Sequence, residues 1–158
     1  MPSLEYESIY KRALTMINDL DLATYTQNDF YDVLREWLRT AASLPLFRKK
    51  FESFSLNDSI MKLTFTLNNS VDDDYDIEFV KTILAKGIII HYFPSKLETT
   101  KNLATMIGGK EEKKLIDNYS KNMERLTELK REWELELTRH SYYFSESGGT
   151  SNGQFSST

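Results

Sequence analysis

Apolar residues recur along the chain with two different rhythms, and each predicts an element. Over residues 4–18, Tyr6, Ile9, Tyr10, Ala13, Met16 and Ile17 share one face at a 3.6-residue period, which predicts a helix. "NDLDLATY" follows as a loop. Thr26 is a good N-cap, with Asp29 three residues on. Phe30, Val33, Leu34, Trp37, Leu38 and Ala41 then repeat as an amphipathic helix does. Pro45 ends this helix or starts a short extra turn.

The period then drops to two. In "KFESFSLNDSIMKLTFTLNN", Met61, Leu63, Phe65 and Leu67 alternate with Lys62, Thr64 and Thr66. A β-hairpin is predicted at about 51–67, with strands at 51–56 and 60–67 around Asn57-Asp58-Ser59. Two strands alone are marginal, so the hairpin must lean on helices or on another subunit.

Helical spacing returns at 76–93, where apolar residues cover most of the circumference. Such a helix is central and packed on nearly all sides. Gly87 within it allows a close neighbour. Trp37 and Ile83 lie mid-stripe on their helices and are expected in one shared core. Pro94 is expected to stop the helix. Ser95 and Glu98 then form a capping box for another helix that ends at Gly108-Gly109.

The last helix is predicted from about Lys110 to His140. Ile116, Tyr119, Met123, Leu126, Trp133 and Leu137 form a near-heptad stripe, with Lys130 in one slot and Leu129 beside it. At 1.5 Å per residue this helix is roughly 45 Å long. A globule of this size has a radius of gyration of about 15 Å. The helix therefore spans the domain or projects beyond it. The expected fold is mostly α: a bundle of about four to five helices with one small β-hairpin, a long C-terminal helix and an extended tail. Residues 1–140 form the helical domain and 141–158 the tail.

Composition narrows the function. With 158 residues the chain is expected to form one domain with a real core. It has no cysteine, which removes disulfides and thiolate metal sites and fits a reducing cytoplasm. No apolar run approaches a membrane span; the longest, "GIIIHYF" at 87–93, is short and carries His91. The first residues, "MPSLEYESIYK", are acidic and amphipathic, unlike a signal peptide. A net charge of −4 argues against broad nucleic-acid affinity, which needs a basic face.

Candidate chemistry is sparse. His91 has no acidic residue or second histidine at i±3 or i±4, so it reads as a satisfied core or interface residue. His140 is placed in the last turn of a helix, where partial positive charge is favourable. "DDDYD" at 72–76 lacks the glycine and glutamate of a calcium loop and reads as carboxylates at a helix N-terminus. "IGGK" at 107–110 lacks the spacing of a phosphate loop and reads as a helix C-cap. "FRKKF" at 47–51 is the one compact basic cluster with flanking aromatics; it reads as a solvated loop with some capacity for phosphate. No catalytic, cofactor-binding or metal residue is identified, and no enzyme is expected.

The hairpin "FSLNDSIMKLTF", the helix "YDIEFVKTILAKGIIIHYFPSKL" and "MIGGKEEKKLIDNYSKNMERLTELKREWELELTRHSYYFS", in that order, carry a resemblance. Over roughly residues 5–145 the chain resembles the small helical head–tail connector (adaptor) proteins of tailed bacteriophages. The resemblance lies in element order, in "LAKGIIIHYF" and in the "IGGKEEK…NY" join. It implies a non-enzymatic virion protein of the phage neck, assembled in the host cytoplasm. The implied partners are copies of itself in a ring, usually of twelve, the portal protein, and a neighbouring neck or tail-completion protein. Genome DNA would pass through the ring without specific binding, and no membrane is involved. The family's C-terminal tail docks on the portal.

On that basis Tyr142, Tyr143, Phe144 and Phe155 are expected to anchor the tail, which gains order on the portal or a neighbouring subunit. Composition alone allows instead a dispensable tail. Lys62, Asn57 and Asp58 on the hairpin are expected to meet an adjacent subunit. The alternative reading is a soluble helical interaction or regulatory module that binds one partner through its C-terminal helix.

Overall fold

The chain opens as a strand where a helix is predicted. Ser3–Glu5 form β1, and the helix starts only at Tyr6, as α1 (Tyr6–Met16). The computed structural model describes residues 1–16 and 27–150, with backbone alone at 27–30, 93, 95–105, 107, 115, 118, 119 and 141–150. The predicted end of the first helix at 17–18 and the predicted Thr26 cap lie outside the described residues. α2 is Gln27–Ala42, and Pro45 starts a separate short turn, α3 (Pro45–Arg48).

The hairpin is β2 (Phe51–Asn57) and β3 (Lys62–Leu67), but it is not isolated. β1 adds antiparallel to β3 with Leu4 opposite Leu63, giving a three-stranded sheet in the order β1-β3-β2. The Tyr6 N–H donates to the Met61 carbonyl at 2.9 Å, which ties the start of α1 to the hairpin. Alternation then sorts the faces. Leu4, Leu63, Phe65 and Leu67 are buried, while Ser3 and Glu5 are exposed. Phe54 and Leu56 stand opposite Phe65 and Leu63, on the core side of the sheet.

α4 runs from Asp73 to Ile107, three residues earlier and fourteen later than the predicted 76–93. Pro94 does not stop it, so Ser95 caps no separate helix. Proline withdraws one donor and crowds the carbonyl four residues back, but leaves the flanking helix bonds in place. α5 runs from Gly109 to Thr150, so residues 141–150 are helical and not an extended tail. The join is as predicted: Gly108 and Gly109 both have φ near +70°, a conformation glycine adopts without a Cβ penalty.

The core lies where α1, α2 and α5 meet α4 above the sheet. Ile83, Leu84, Ile88, Leu34, Leu38 and Leu137 are almost wholly buried. Gly87 faces Ala41 of α2, and the predicted close approach is present there. The Trp133 indole N–H donates to the Ile83 carbonyl at 2.9 Å, holding α5 on α4. Trp37 departs from expectation. It is half-buried at the edge of the core and meets Tyr92 edge-on at 5.7 Å. The buried stripe of α2 centres on Leu34, Leu38 and Ala41, to one side of Trp37.

Candidate assembly interface

The hairpin turn is held from inside the subunit. Asp58 accepts from Arg39 Nε at 2.9 Å and from a second guanidinium nitrogen, and the Tyr6 hydroxyl donates to it at 2.8 Å. Burial pushes the Asp58 carboxyl up, but the bonds from Arg39 and Tyr6 more than offset this and hold it below the usual aspartate range. Burial and Asp58 together push the Tyr6 phenol up. Asn57 accepts from the Ser59 N–H at 3.1 Å, which shapes the turn. Lys62 pairs with Glu5 across β1 and β3 at 3.4 Å, with Glu5 mostly exposed and Lys62 about half-exposed. Of the three hairpin residues expected to meet a neighbour, Asp58 is thus committed to Arg39 and Tyr6. Asn57 and Lys62 remain at the surface.

α4 and α5 form a long antiparallel hairpin, anchored at its base by Trp133 and by the Lys86–Glu136 ion pair. With 35 and 42 residues they are about 52 and 63 Å long. Between Tyr92 on α4 and Leu126 on α5, no described residue is buried. The near-heptad stripe of α5 therefore divides. Leu126, Trp133 and Leu137 are covered by the subunit's own core, whereas Ile116 and Met123 are exposed, and so is Met106 on α4. At the base of this arm, Met16, Ile89, Ile90 and Leu129 line an apolar cleft of about 250 Å³ flanked by Lys86 and Arg125.

The titratable residues serve the fold. Asp73, Asp74 and Asp76 occupy the first turn of α4, where the helix dipole favours them. Asp72 accepts from the Tyr75 N–H at 2.8 Å. Buried Asp76 accepts from Ser70 Oγ at 2.6 Å and from the Val71 N–H at 3.1 Å, closing the loop ahead of the helix.

His140 is not in a last turn. It sits ten residues before the end of α5, buried, with its ring stacked on Phe79 at 4.1 Å. Burial, and then Lys50, push its pKa down, with Asp76 partly opposing. His91 is half-buried, and among the described residues its Nε2 has no hydrogen-bond partner. Burial and then Lys130 push it down as well. Among the described residues no cluster of histidine and carboxylates fits a metal ion, and no helix is long and apolar enough to cross a membrane.

In "FRKKF", Phe47 is buried while Arg48 is exposed, its guanidinium 4.6 Å from the centre of the Phe54 ring. This places Arg48 beside the open edge of β2. Tyr142, Tyr143 and Phe144 lie on the helical backbone of α5, with side chains outside the described residues. Phe155 lies outside them altogether.

The chain matches no family model, no curated protein and no solved structure. Sequence reasoning singled out the hairpin and the long helix but missed the exposed Met106 and the Arg39–Asp58–Tyr6 cluster. Met106 had a signal: it stands just before the Gly108-Gly109 join, at the far end of two long helices from the core. The cluster had none, because its members are 19 and 52 residues apart.

Proposed function

We propose that the protein is a non-enzymatic structural subunit that assembles with copies of itself into a ring, as a head–tail connector of a tailed-bacteriophage neck that binds the portal protein. The observation that carries this reading is the α4–α5 arm, with Met106, Ile116 and Met123 exposed along it. An apolar stripe that runs past the core that covers its other half needs a surface outside the subunit. A closed ring provides one, because its contacts join two different faces of each copy. The negative net charge suits a wall past which DNA must slide. The connector identity rests on the resemblance in element order and in the "LAKGIIIHYF" and "IGGKEEK…NY" segments.

Negative-stain images of the protein alone and mixed with portal test the proposal. Rings, free or on the portal, are expected. Monomers that neither assemble nor bind would overturn it. The exposed Ile116 and Met123 on α5 also favour a second reading, a helical module that binds one partner through that helix. Sedimentation showing a stable monomer and a one-to-one complex would support this reading instead.

A further inference from the structure

β2 is an edge strand, because the sheet order is β1-β3-β2. The C-terminal end of α2 and the turn of α3 stand beside it, leaving a groove of about 380 Å³ lined by Arg39, Ser43, Arg48, Phe54, Ser55 and Leu56. Arg48 donates to the Phe54 carbonyl at 3.4 Å, so that backbone group can be reached from outside the sheet. Among the described residues, no backbone N–H or carbonyl of an element other than β3 reaches Phe54 or Leu56.

The charge of the groove is one-sided. Arg48 makes no ion pair among the described residues. Arg39 commits its Nε and one terminal nitrogen to Asp58, which leaves a guanidinium further donors. No carboxylate lines the groove. Asp58 already offsets Arg39, so the uncompensated charge of the groove is the Arg48 guanidinium, a local positive site in a chain of net charge −4.

We infer that this groove docks an extended, acidic segment of another protein, which adds to the outer edge of β2 as a further strand. A strand laid there would pair its backbone with Phe54 and Leu56. Its alternate side chains would point into the groove, where Arg48 and the remaining N–H donors of Arg39 favour carboxylates. The Phe54 ring, already under the Arg48 guanidinium, would pack on the stems of those side chains. This goes beyond the proposed ring by naming a partner chemistry, and it requires no ring.

The test uses the full chain and fluorescein-labelled peptides of alternating threonine and aspartate, followed by fluorescence anisotropy at low salt. Saturable binding is expected. Arg48→Glu should weaken it about tenfold or more, as loss of a charge-assisted contact does. The same peptide N-methylated at alternate residues keeps its charge but cannot pair with the edge, and it should not bind. That comparison uses the unaltered protein, so it stands even if Arg48→Glu disturbs the fold. No binding, equal binding of the N-methylated peptide, or equal binding of a threonine–lysine peptide would each overturn the inference. So would self-association that Arg48→Glu abolishes and that excludes the peptide, because the occupant would then be a second copy. Rings without peptide binding would sink this inference alone, and peptide binding without rings would leave it standing.

Discussion

A Cβ built on Gly87 would lie 2.6 Å from the Cβ of Ala41, so α2 and α4 touch where neither can carry a larger side chain. Trp133 closes the same spot from α5, with its ring 3.9 Å from that position. Gly87→Ala should therefore lower stability. Overpacking costs about 1–3 kcal/mol, against a gain of about 1 kcal/mol in helix propensity. Urea unfolding should show a lower midpoint, and Ala41→Gly in the same chain should recover part of the loss. A raised midpoint for Gly87→Ala alone would show that the helices do not approach this closely.

Ile83 and Trp37 should separate on truncation. Ile83 is almost wholly buried, so Ile83→Ala should cost about 2–5 kcal/mol through lost burial and a residual cavity. Trp37→Ala should cost less despite the larger side chain, because the indole is half-buried and water can fill its place. Thermal melting of the two variants side by side would check the order.

Stability should fall in two steps on acidification. His140 has a depressed pKa in the folded state, so its contribution is complete above the unfolded imidazole value of about 6.5 and is lost as pH falls through the folded value. Asp58 is also depressed, so its contribution is complete above the ordinary aspartate range and is lost at lower pH still. His91 is depressed as well and loses its contribution in the same range, so His140→Phe should reduce the first step and keep the stack on Phe79. Asp58→Asn should reduce the second step, to which the depressed Glu78 also contributes, and lower stability at neutral pH, where the bonds from Arg39 and Tyr6 lose their charged acceptor. Denaturant midpoints across the pH range would read both.

The arm should matter to assembly and not to folding. Ile116→Glu and Met123→Glu change exposed positions, and such changes usually stay within about 0.5 kcal/mol. Ring formation, or binding to a partner, should nevertheless be lost. Unchanged assembly, seen by sedimentation, would remove the arm from the interface.

Lys62→Glu should break a part-exposed ion pair with Glu5 and set two carboxylates opposite each other, a loss of about 1 kcal/mol. If the hairpin meets a neighbouring subunit, assembly should suffer more than melting. Equal loss of both would count against an interface there.

What the sequence by itself determined is local. The period of apolar residues placed α2, the hairpin strands and the mostly helical class, while Pro45 marked either the end of α2 or the short turn of α3. The glycine pair marked the turn between α4 and α5, and the lone glycine of α4 marked a close neighbour. Each of these depends on residues within a few positions of one another, and backbone sterics or side-chain direction settle them there. The tertiary structure decided the rest. β1 is a strand because β3 offers it an edge some sixty residues away, as Leu4 opposite Leu63 shows. Trp37 lies at the rim because the contact of Gly87 with Ala41 orients α2 toward Leu34 and Leu38. Only distant packing also decided that Ile116 and Met123 are bare while Leu126 and Trp133, on the same stripe, are covered. A stripe records that a helix has an apolar face; which part of it the subunit itself covers depends on where the other elements end.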